Sequence, residues 1–213
     1  MKCKLIKILF IMKKFFLAIV AVMMSAPIFA QFNSGGFSID EEHLYFGVRI
    51  GVNFSGISGD VSSANSRTGM TLGGVVGLRV SEDYPVFLES GGYYTERGGN
   101  KLTYIDSDKQ LMQNVKGHAN YLEVPLLIKY GIALENNIAI LPFIGPYLAL
   151  GATGDYKALK RPEMGFKLGC GAEWNNLYLE ALYNFGVTNI ADVKHMDYSS
   201  HGHAFSINFG VNF

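Results

Sequence analysis

The chain has 213 residues, 49% of them hydrophobic, and its 18 Lys and Arg residues balance 18 Asp and Glu residues. A formal net charge of zero excludes the strongly basic composition typical of nucleic-acid-binding proteins, so no nucleic-acid partner is predicted. The two cysteines are Cys3 and Cys170. Because Cys3 lies in a segment that we expect to be removed, no intrachain disulfide is predicted.

Residues 1–30 are predicted to be a signal peptide, whose translation could begin at Met12. Two lysines precede an apolar run over 15–24, and small residues lead to a predicted cleavage after Ala30. The alternative is an N-terminal membrane anchor. The polar, Gly-rich composition of 31–43 favours cleavage, and we expect this segment to lie in the periplasm. Beyond it, no stretch approaches the 18 or so apolar residues of a transmembrane helix.

Eight segments of the remaining chain alternate between apolar and small or polar residues, which is typical of strands with two different faces. The predicted strands are 44–54, 70–80, 86–97, 120–132, 138–151, 163–174, 177–187 and 204–213. Pro142 and Pro146 interrupt the fifth of them and predict bulges there.

The connections between these strands alternate in length. The short ones are 81–85, 133–137 and 175–176, and the long ones are 55–69, 98–119, 152–162 and 188–203. Short periplasmic turns and long outer loops characterise outer-membrane barrels. The sequence therefore predicts an all-β fold over 44–213, an eight-stranded antiparallel up-and-down transmembrane barrel with both termini in the periplasm. A soluble lipocalin-like barrel is the alternative, but it would place apolar residues inside.

The last strand carries the clearest alternation and ends on an aromatic residue. Its apolar positions are Phe205, Ile207, Phe209, Val211 and Phe213. Its length fits a tilted strand that crosses a hydrocarbon core, which takes roughly 9–11 residues. We expect these five side chains to face outer-membrane lipid and to form the C-terminal signal that barrel-assembly machinery recognises.

The inward positions of the other strands carry four cations and four carboxylates. They are Arg49, Arg79, Lys129, Lys167, Glu89, Glu123, Glu173 and Glu180. Buried charges are costly unless they are paired, and eight strands enclose little more than side chains. We therefore expect an interlocked salt-bridge network that fills the lumen, with a narrow ion or proton path as the alternative.

Four short segments resemble a known family. They are Tyr121-Leu122-Glu123-Val124-Pro125-Leu126-Leu127-Ile128-Lys129-Tyr130, Phe143-Ile144-Gly145-Pro146-Tyr147, Tyr183-Asn184-Phe185-Gly186-Val187-Thr188-Asn189-Ile190 and Leu88-Glu89-Ser90-Gly91-Gly92-Tyr93-Tyr94. These segments resemble the PorT-like outer-membrane β-barrels, of the broader OmpA/OmpX-like eight-stranded type. The resemblance covers about 44–213 and implies Gram-negative bacteria. The family's namesake assists a protein-secretion system, so the resemblance implies a secretion accessory as one possible role.

Histidines concentrate in the loop before the last strand. His195, His201 and His203 could hold zinc or copper, but a solvated surface loop is the favoured interpretation. No cysteine or fixed framework accompanies them, so neither a metal nor another cofactor is predicted.

The same loop contains residue types that hydrolases use. Asp197, Ser199, Ser200 and His201 are crowded into one loop, whereas a nucleophilic site needs groups that converge from several elements. A rim-site enzyme acting on lipid or peptide is therefore the third hypothesis, after a secretion accessory. The leading one is a non-enzymatic barrel with a structural or surface-interaction role.

Five aromatic residues near predicted strand ends are candidates for interfacial belts. They are Tyr45, Tyr84, Trp174, Tyr178 and Tyr183. An aromatic side chain at a strand end can also pack in the ordinary way, so this pattern alone does not assign a face to each ring.

Overall fold

The computed structural model describes residues 44–59, 62–105, 111–134, 138–154, 162–189 and 200–213. The predicted signal peptide, the segment 31–43 and His195 lie outside these residues, and so do Asp197 and Ser199. Within the described ranges, no helix has both the length and the apolar character needed to cross a membrane.

In the residues that the structure describes, eight long strands and one two-residue strand form a single antiparallel sheet. They are β1 (Leu44–Gly59), β2 (Ser62–Arg79), β3 (Val86–Ile105), β4 (Leu111–Tyr130), β5 (Ile132–Ala133), β6 (Ile138–Gly154), β7 (Pro162–Trp174), β8 (Leu177–Gly186) and β9 (Ser200–Asn212). Strands that are adjacent in the chain pair with each other except β4 and β5; β4 pairs with β6 instead, and β1 pairs with β9. These pairings close the sheet into the eight-stranded barrel that the alternation predicts. We call the end that holds Leu44 and Asn212 the terminus end, and the opposite end the loop end.

The strands on one side of the barrel are longer than predicted. β2 begins at Ser62, β3 continues to Ile105 and β4 begins at Leu111, so most of the predicted loops 55–69 and 98–119 form paired strand. These residues escape a search for alternation because polar residues and glycines occupy both the odd and the even positions of these segments. The sequence signal disappears although the hydrogen-bonded ladder continues.

The bulges predicted at Pro142 and Pro146 are not formed. The pairing of β6 with β7 runs without a register shift from Ile138 to Leu150 and includes both prolines. The described pairs between β4 and β6 skip both prolines instead. A proline has no N–H to donate, so β6 accommodates the two rings by omitting pairs with β4 while keeping its register.

Inward and outward side chains alternate along each strand that crosses the barrel wall. On β9, Phe209 is 49% exposed on the outer surface whereas its neighbour Asn208 is 2% exposed. All five apolar residues of the predicted C-terminal signal lie on this outer surface. The belt prediction is wrong for Tyr45 and Tyr178, because both side chains are buried inside the barrel.

Inward glycines make room for the aromatic rings of the lumen. A Cβ built on Gly77 would collide with ring atoms of Tyr45, and a Cβ on Gly171 would collide with Tyr178. The tyrosine of one strand thus lies against the bare backbone of a neighbouring strand. This arrangement explains why large rings fit inside a barrel of only eight strands.

A backbone irregularity at Gly98 connects β3 to β1 near the loop end. Gly98 has a φ of 132°, which favours glycine, and its N–H donates to Ser55 Oγ at 3.1 Å. The Ser55 hydroxyl in turn donates to the Gly98 carbonyl at 3.0 Å. Since β2 lies between β1 and β3 in the sheet, this contact joins two strands that are not neighbours.

Candidate functional site in the barrel lumen

The buried charges of the lumen form two clusters. The terminus-side cluster comprises Arg49, Glu89, Lys129, Glu173 and Glu180, each within five positions of the terminus end of its strand. The loop-side cluster comprises Arg97, Glu123, Glu163 and Lys167. In the described part of the chain, the five buried carboxylates therefore exceed the four buried cations by one.

Glu89 is the centre of the terminus-side cluster. Its Oε2 lies 2.9 Å from Lys129 Nζ and 3.8 Å from Arg49 Nη2. The Tyr45 hydroxyl donates to the same oxygen at 2.6 Å. Strands β1, β3 and β4 thus meet at one carboxylate, which compensates part of the cost of burying three charges.

Tyr178 supports both cations of this cluster. Lys129 Nζ donates to the Tyr178 hydroxyl at 2.7 Å, and the Arg49 guanidinium lies 4.0 Å from the centre of the Tyr178 ring. A cation over an aromatic face is attracted by the negative charge density of the ring. Glu180 Oε2, at 3.9 Å from Lys129 Nζ, completes the pairing.

Two asparagines of β9 link the remaining carboxylates. Asn208 donates to Glu180 Oε1 at 2.7 Å, and Asn212 donates to Glu173 Oε1 at 2.9 Å. The Asn212 oxygen accepts a 2.5 Å hydrogen bond from Arg49 Nη2. Glu173 therefore joins the cluster through an amide.

Arg97 joins two carboxylates in the loop-side cluster. Its Nη1 lies 3.1 Å from Glu163 Oε1, and its Nη2 pairs with Glu123. Lys167 pairs with the other oxygen of Glu123. The Tyr147 hydroxyl donates to Glu163 Oε1 at 2.5 Å. Strands β3, β4, β6 and β7 are thereby tied together across the lumen.

Apolar packing lies between the two clusters. Leu127, Phe143 and Leu182 form a buried contact group, and each of them is at most 4% exposed. Lys129 Nζ lies 4.9 Å from the centre of the Phe143 ring. Two of the cavities that the described side chains leave in the lumen each have room for about one water molecule.

Seven of the eight predicted lumen residues lie in these two clusters. The exception is Arg79, which is half-buried at the terminus end. Its Nε donates to the Ser81 carbonyl at 2.9 Å and its Nη2 to the Glu82 carbonyl at 3.4 Å. The face of Arg79 follows from the alternation, but its position at the rim directs the side chain towards the turn.

The sequence reasoning missed Arg97 and Glu163. Both lie at the ends of predicted strands, and neither an inward nor an outward side chain is predicted there. Extending the period of two from Thr95 to Arg97, and from Lys167 back through Gly165 to Glu163, would have placed both side chains inside.

The candidate metal and hydrolase residues that the structure describes do not form a common site. His201 and His203 lie two positions apart on β9, and the His203 ring stacks on Tyr183 with 6.4 Å between ring centres. Ser200 is buried, and its backbone N–H donates to Asn189 Oδ1 at 3.1 Å. Among the described side chains, no three His, Cys, Asp or Glu residues are placed to hold a metal ion.

A family described as "Outer membrane protein beta-barrel domain" matches residues 29–192, which is more than half of the chain. The chain belongs to this family. It is therefore a small outer-membrane β-barrel protein. No curated protein matches the sequence.

Solved outer-membrane barrels are similar in fold. OprG of Pseudomonas aeruginosa has a TM-score of 0.50 at 13% identity, with 83% of this chain and 99% of OprG covered. Neisserial surface protein A has a TM-score of 0.48 at 14% identity, covering 79% and 97%. The attachment invasion locus protein Ail of Yersinia pestis has a TM-score of 0.43 at 12% identity, covering 81% and 100%. At such identities the likeness to OprG supports the fold alone.

Proposed function

We propose that this protein is a non-enzymatic outer-membrane barrel with a plugged lumen that acts through its outer surface, by binding an extended strand of a partner protein. The observation that carries the surface role is the outer edge of residues 111–118 in β4. The inner edge of this segment pairs with β3. No residue that the structure describes pairs with its outer edge, because the pairing of β4 with β6 begins at Ala119.

An unpaired strand edge presents backbone N–H and C=O groups to its surroundings. Eight residues of strand extend over about 25 Å, which is enough for a partner strand to add to the sheet. The alternation of short and long connections supports an outer location for this hairpin, with both termini in the periplasm. The edge then faces the medium outside the cell.

The plugged lumen is supported by the contents of the barrel. Arg97, Glu123 and Glu163 join strands from opposite sides of the lumen, and Leu127 and Phe143 pack between the two charge clusters. Cavities of about one water molecule are too small for a hydrated ion to pass. We therefore expect purified protein in planar bilayers to give no porin-like conductance. Large, reproducible single-channel steps would contradict the plugged lumen.

The surface role is tested by shortening the β3–β4 hairpin. A variant in which residues 100–117 are replaced by a two-residue turn keeps the barrel-wall part of both strands. We expect cells that carry this variant to adhere and aggregate as weakly as a deletion strain, although they contain normal amounts of assembled barrel. Full adhesion by the shortened variant would refute the proposed edge.

A secretion accessory is the second proposal, and the PorT-like segments around Glu123, Pro146 and Tyr183 favour it. This role predicts that a deletion strain retains periplasmic cargo that the wild type exports. Quantitative comparison of secreted proteins separates the two roles, because loss of adhesion alone leaves the secreted set unchanged.

A further inference from the structure

One of the two cavities lies in the middle of the lumen, between the two charge clusters. Its polar lining comes from six strands and includes Thr71, Thr95, Arg97, Glu180, Asn184 and Asn208. Leu127 and Leu182 line its apolar side. The space accommodates about one water molecule.

Apart from Glu123 Oε1, which pairs with Lys167, four polar atoms of the lining residues have no hydrogen-bond partner among the residues that the structure describes. They are Thr95 Oγ1, Asn184 Oδ1, Asn208 Oδ1 and Arg97 Nε. Their side chains belong to residues that are at most 5% exposed. A buried polar atom without a partner is costly, so four of them around one cavity indicate a ligand that both donates and accepts hydrogen bonds.

The charges around the cavity distinguish an ion from a neutral ligand. Arg97 and Lys167 contribute two positive charges, and Glu123 and Glu180 contribute two negative charges. Three of these four side chains already pair with one another, and Glu180 accepts from Asn208. The formal charges of the lining cancel, so the cavity has no excess charge that would favour an anion or a cation.

We propose that this cavity is a specific binding site for water, coordinated by Thr95, Asn184, Asn208 and Arg97. A buried water molecule typically makes about three hydrogen bonds to polar groups that lack other partners. The bound water links Asn208, and through it Glu180 of the terminus-side cluster, to Arg97 of the loop-side cluster.

We expect this water to exchange through the second cavity. It lies at the loop end beside Ser55, Gly98, Glu163 and Gly202, and Arg97 lines both cavities. On the opposite side, Tyr45, Phe87 and Tyr178 belong to a buried apolar group at the terminus end. The water therefore enters from the loop end, past the Arg97 side chain.

The test uses the full-length mature barrel in lipid nanodiscs and nuclear magnetic resonance. Water-selective magnetisation transfer is measured at the side-chain amides of Asn184 and Asn208. Thr95→Val removes one polar contact at nearly constant volume, and Thr95→Ser is the matched control that keeps the hydroxyl. We expect transfer in the wild type and in Thr95→Ser, and loss of most of it in Thr95→Val.

Stability gives an independent readout. In a hydrated site, Thr95→Val removes a hydrogen bond to water and raises the unfolding equilibrium constant by about tenfold. In a dry site, the same change removes an unpartnered hydroxyl, and the variant is at least as stable as the wild type. Absent transfer in the wild type, transfer that Thr95→Val leaves unchanged, or a stabilised Thr95→Val protein would each overturn the proposal.

Discussion

Arg97 of β3 and Glu163 of β7 lie 3.1 Å apart across the lumen, although 66 residues separate them in the chain. The two strands are not neighbours in the sheet, so the pair spans the interior of the barrel. Arg97 also pairs with Glu123 of β4, and Lys167 of β7 pairs with the same carboxylate. These contacts fix the distances between opposite walls at the loop end, where the ladder alone constrains only adjacent strands.

Glu123→Ala should destabilise the barrel strongly. Glu123 is 1% exposed and pairs with both Arg97 and Lys167, so its removal leaves two buried cations with fewer partners. Breaking a buried pair in this way costs roughly 3–5 kcal/mol, and penetrating water would reduce the cost. The measurement is the free energy of unfolding in urea, with the protein in lipid vesicles.

The control for this variant is Glu82→Ala, which removes an exposed carboxylate in the turn between β2 and β3. We expect a change within about 0.5 kcal/mol for this surface position. Equal changes in the free energy of unfolding for the two substitutions would show that the Glu123 ion pairs do not stabilise the barrel.

Gly77→Ala should be destabilising, because the added Cβ would collide with the ring of Tyr45. The ring cannot move freely, since its hydroxyl donates to Glu89 at 2.6 Å and its side chain is buried. Overpacking of this kind typically costs roughly 1–3 kcal/mol. The same urea titration measures it.

Gly92→Ala is the matched control for the glycine prediction, because nothing lies within 4 Å of a Cβ built on Gly92. This substitution reduces the conformational freedom of the unfolded chain and should be neutral or stabilising by about 0.4–1 kcal/mol. The proposed contact between Gly77 and Tyr45 is refuted if both alanine variants unfold like the wild type.

The membrane-crossing strands follow from the sequence because each has one face towards lipid and one towards a polar lumen. The alternation of β9 assigns Phe209 and Asn208 to opposite faces, and the structure places them there. The same reasoning fails at Ser62 and Leu111, where β2 and β4 begin, because polar residues and glycines occupy both the odd and the even positions there.

The ion-pair partners could not be predicted in the same way. A period of two gives the face of a residue but not its depth, and it does not say which opposite strand a long side chain reaches. The period of two predicts both Arg79 and Arg49 on the inner face of their strands. Arg79 nevertheless donates to turn carbonyls at the rim, whereas Arg49 pairs with Glu89. Depth and reach depend on the stagger of the closed barrel, which only the three-dimensional register determines.

Cys170→Ala should fold and assemble normally, because Cys170 is exposed on the outer surface and the change removes few contacts. In a bilayer that surface is covered by lipid, so a membrane-impermeant maleimide should label the wild type only after denaturation. Ser58→Cys in a Cys170→Ala background is the control, since Ser58 is exposed near the loop end and should react readily. Rapid labelling of Cys170 in the folded, lipid-embedded protein would contradict the lipid-facing assignment.

Phe209→Arg should prevent assembly or strongly destabilise the barrel. Phe209 is the middle one of the five outward apolar residues of the last strand and is 49% exposed on the outer surface. An arginine on the lipid face costs roughly 2–4 kcal/mol near the middle of the membrane, because its charge meets hydrocarbon instead of water. Phe209→Leu keeps an apolar side chain at the same position and should assemble like the wild type. The amount of folded barrel in outer membranes, read from its heat-modifiable migration on gels, distinguishes the two variants. Equal amounts of folded Phe209→Arg and Phe209→Leu protein would mean that this face of β9 does not contact lipid.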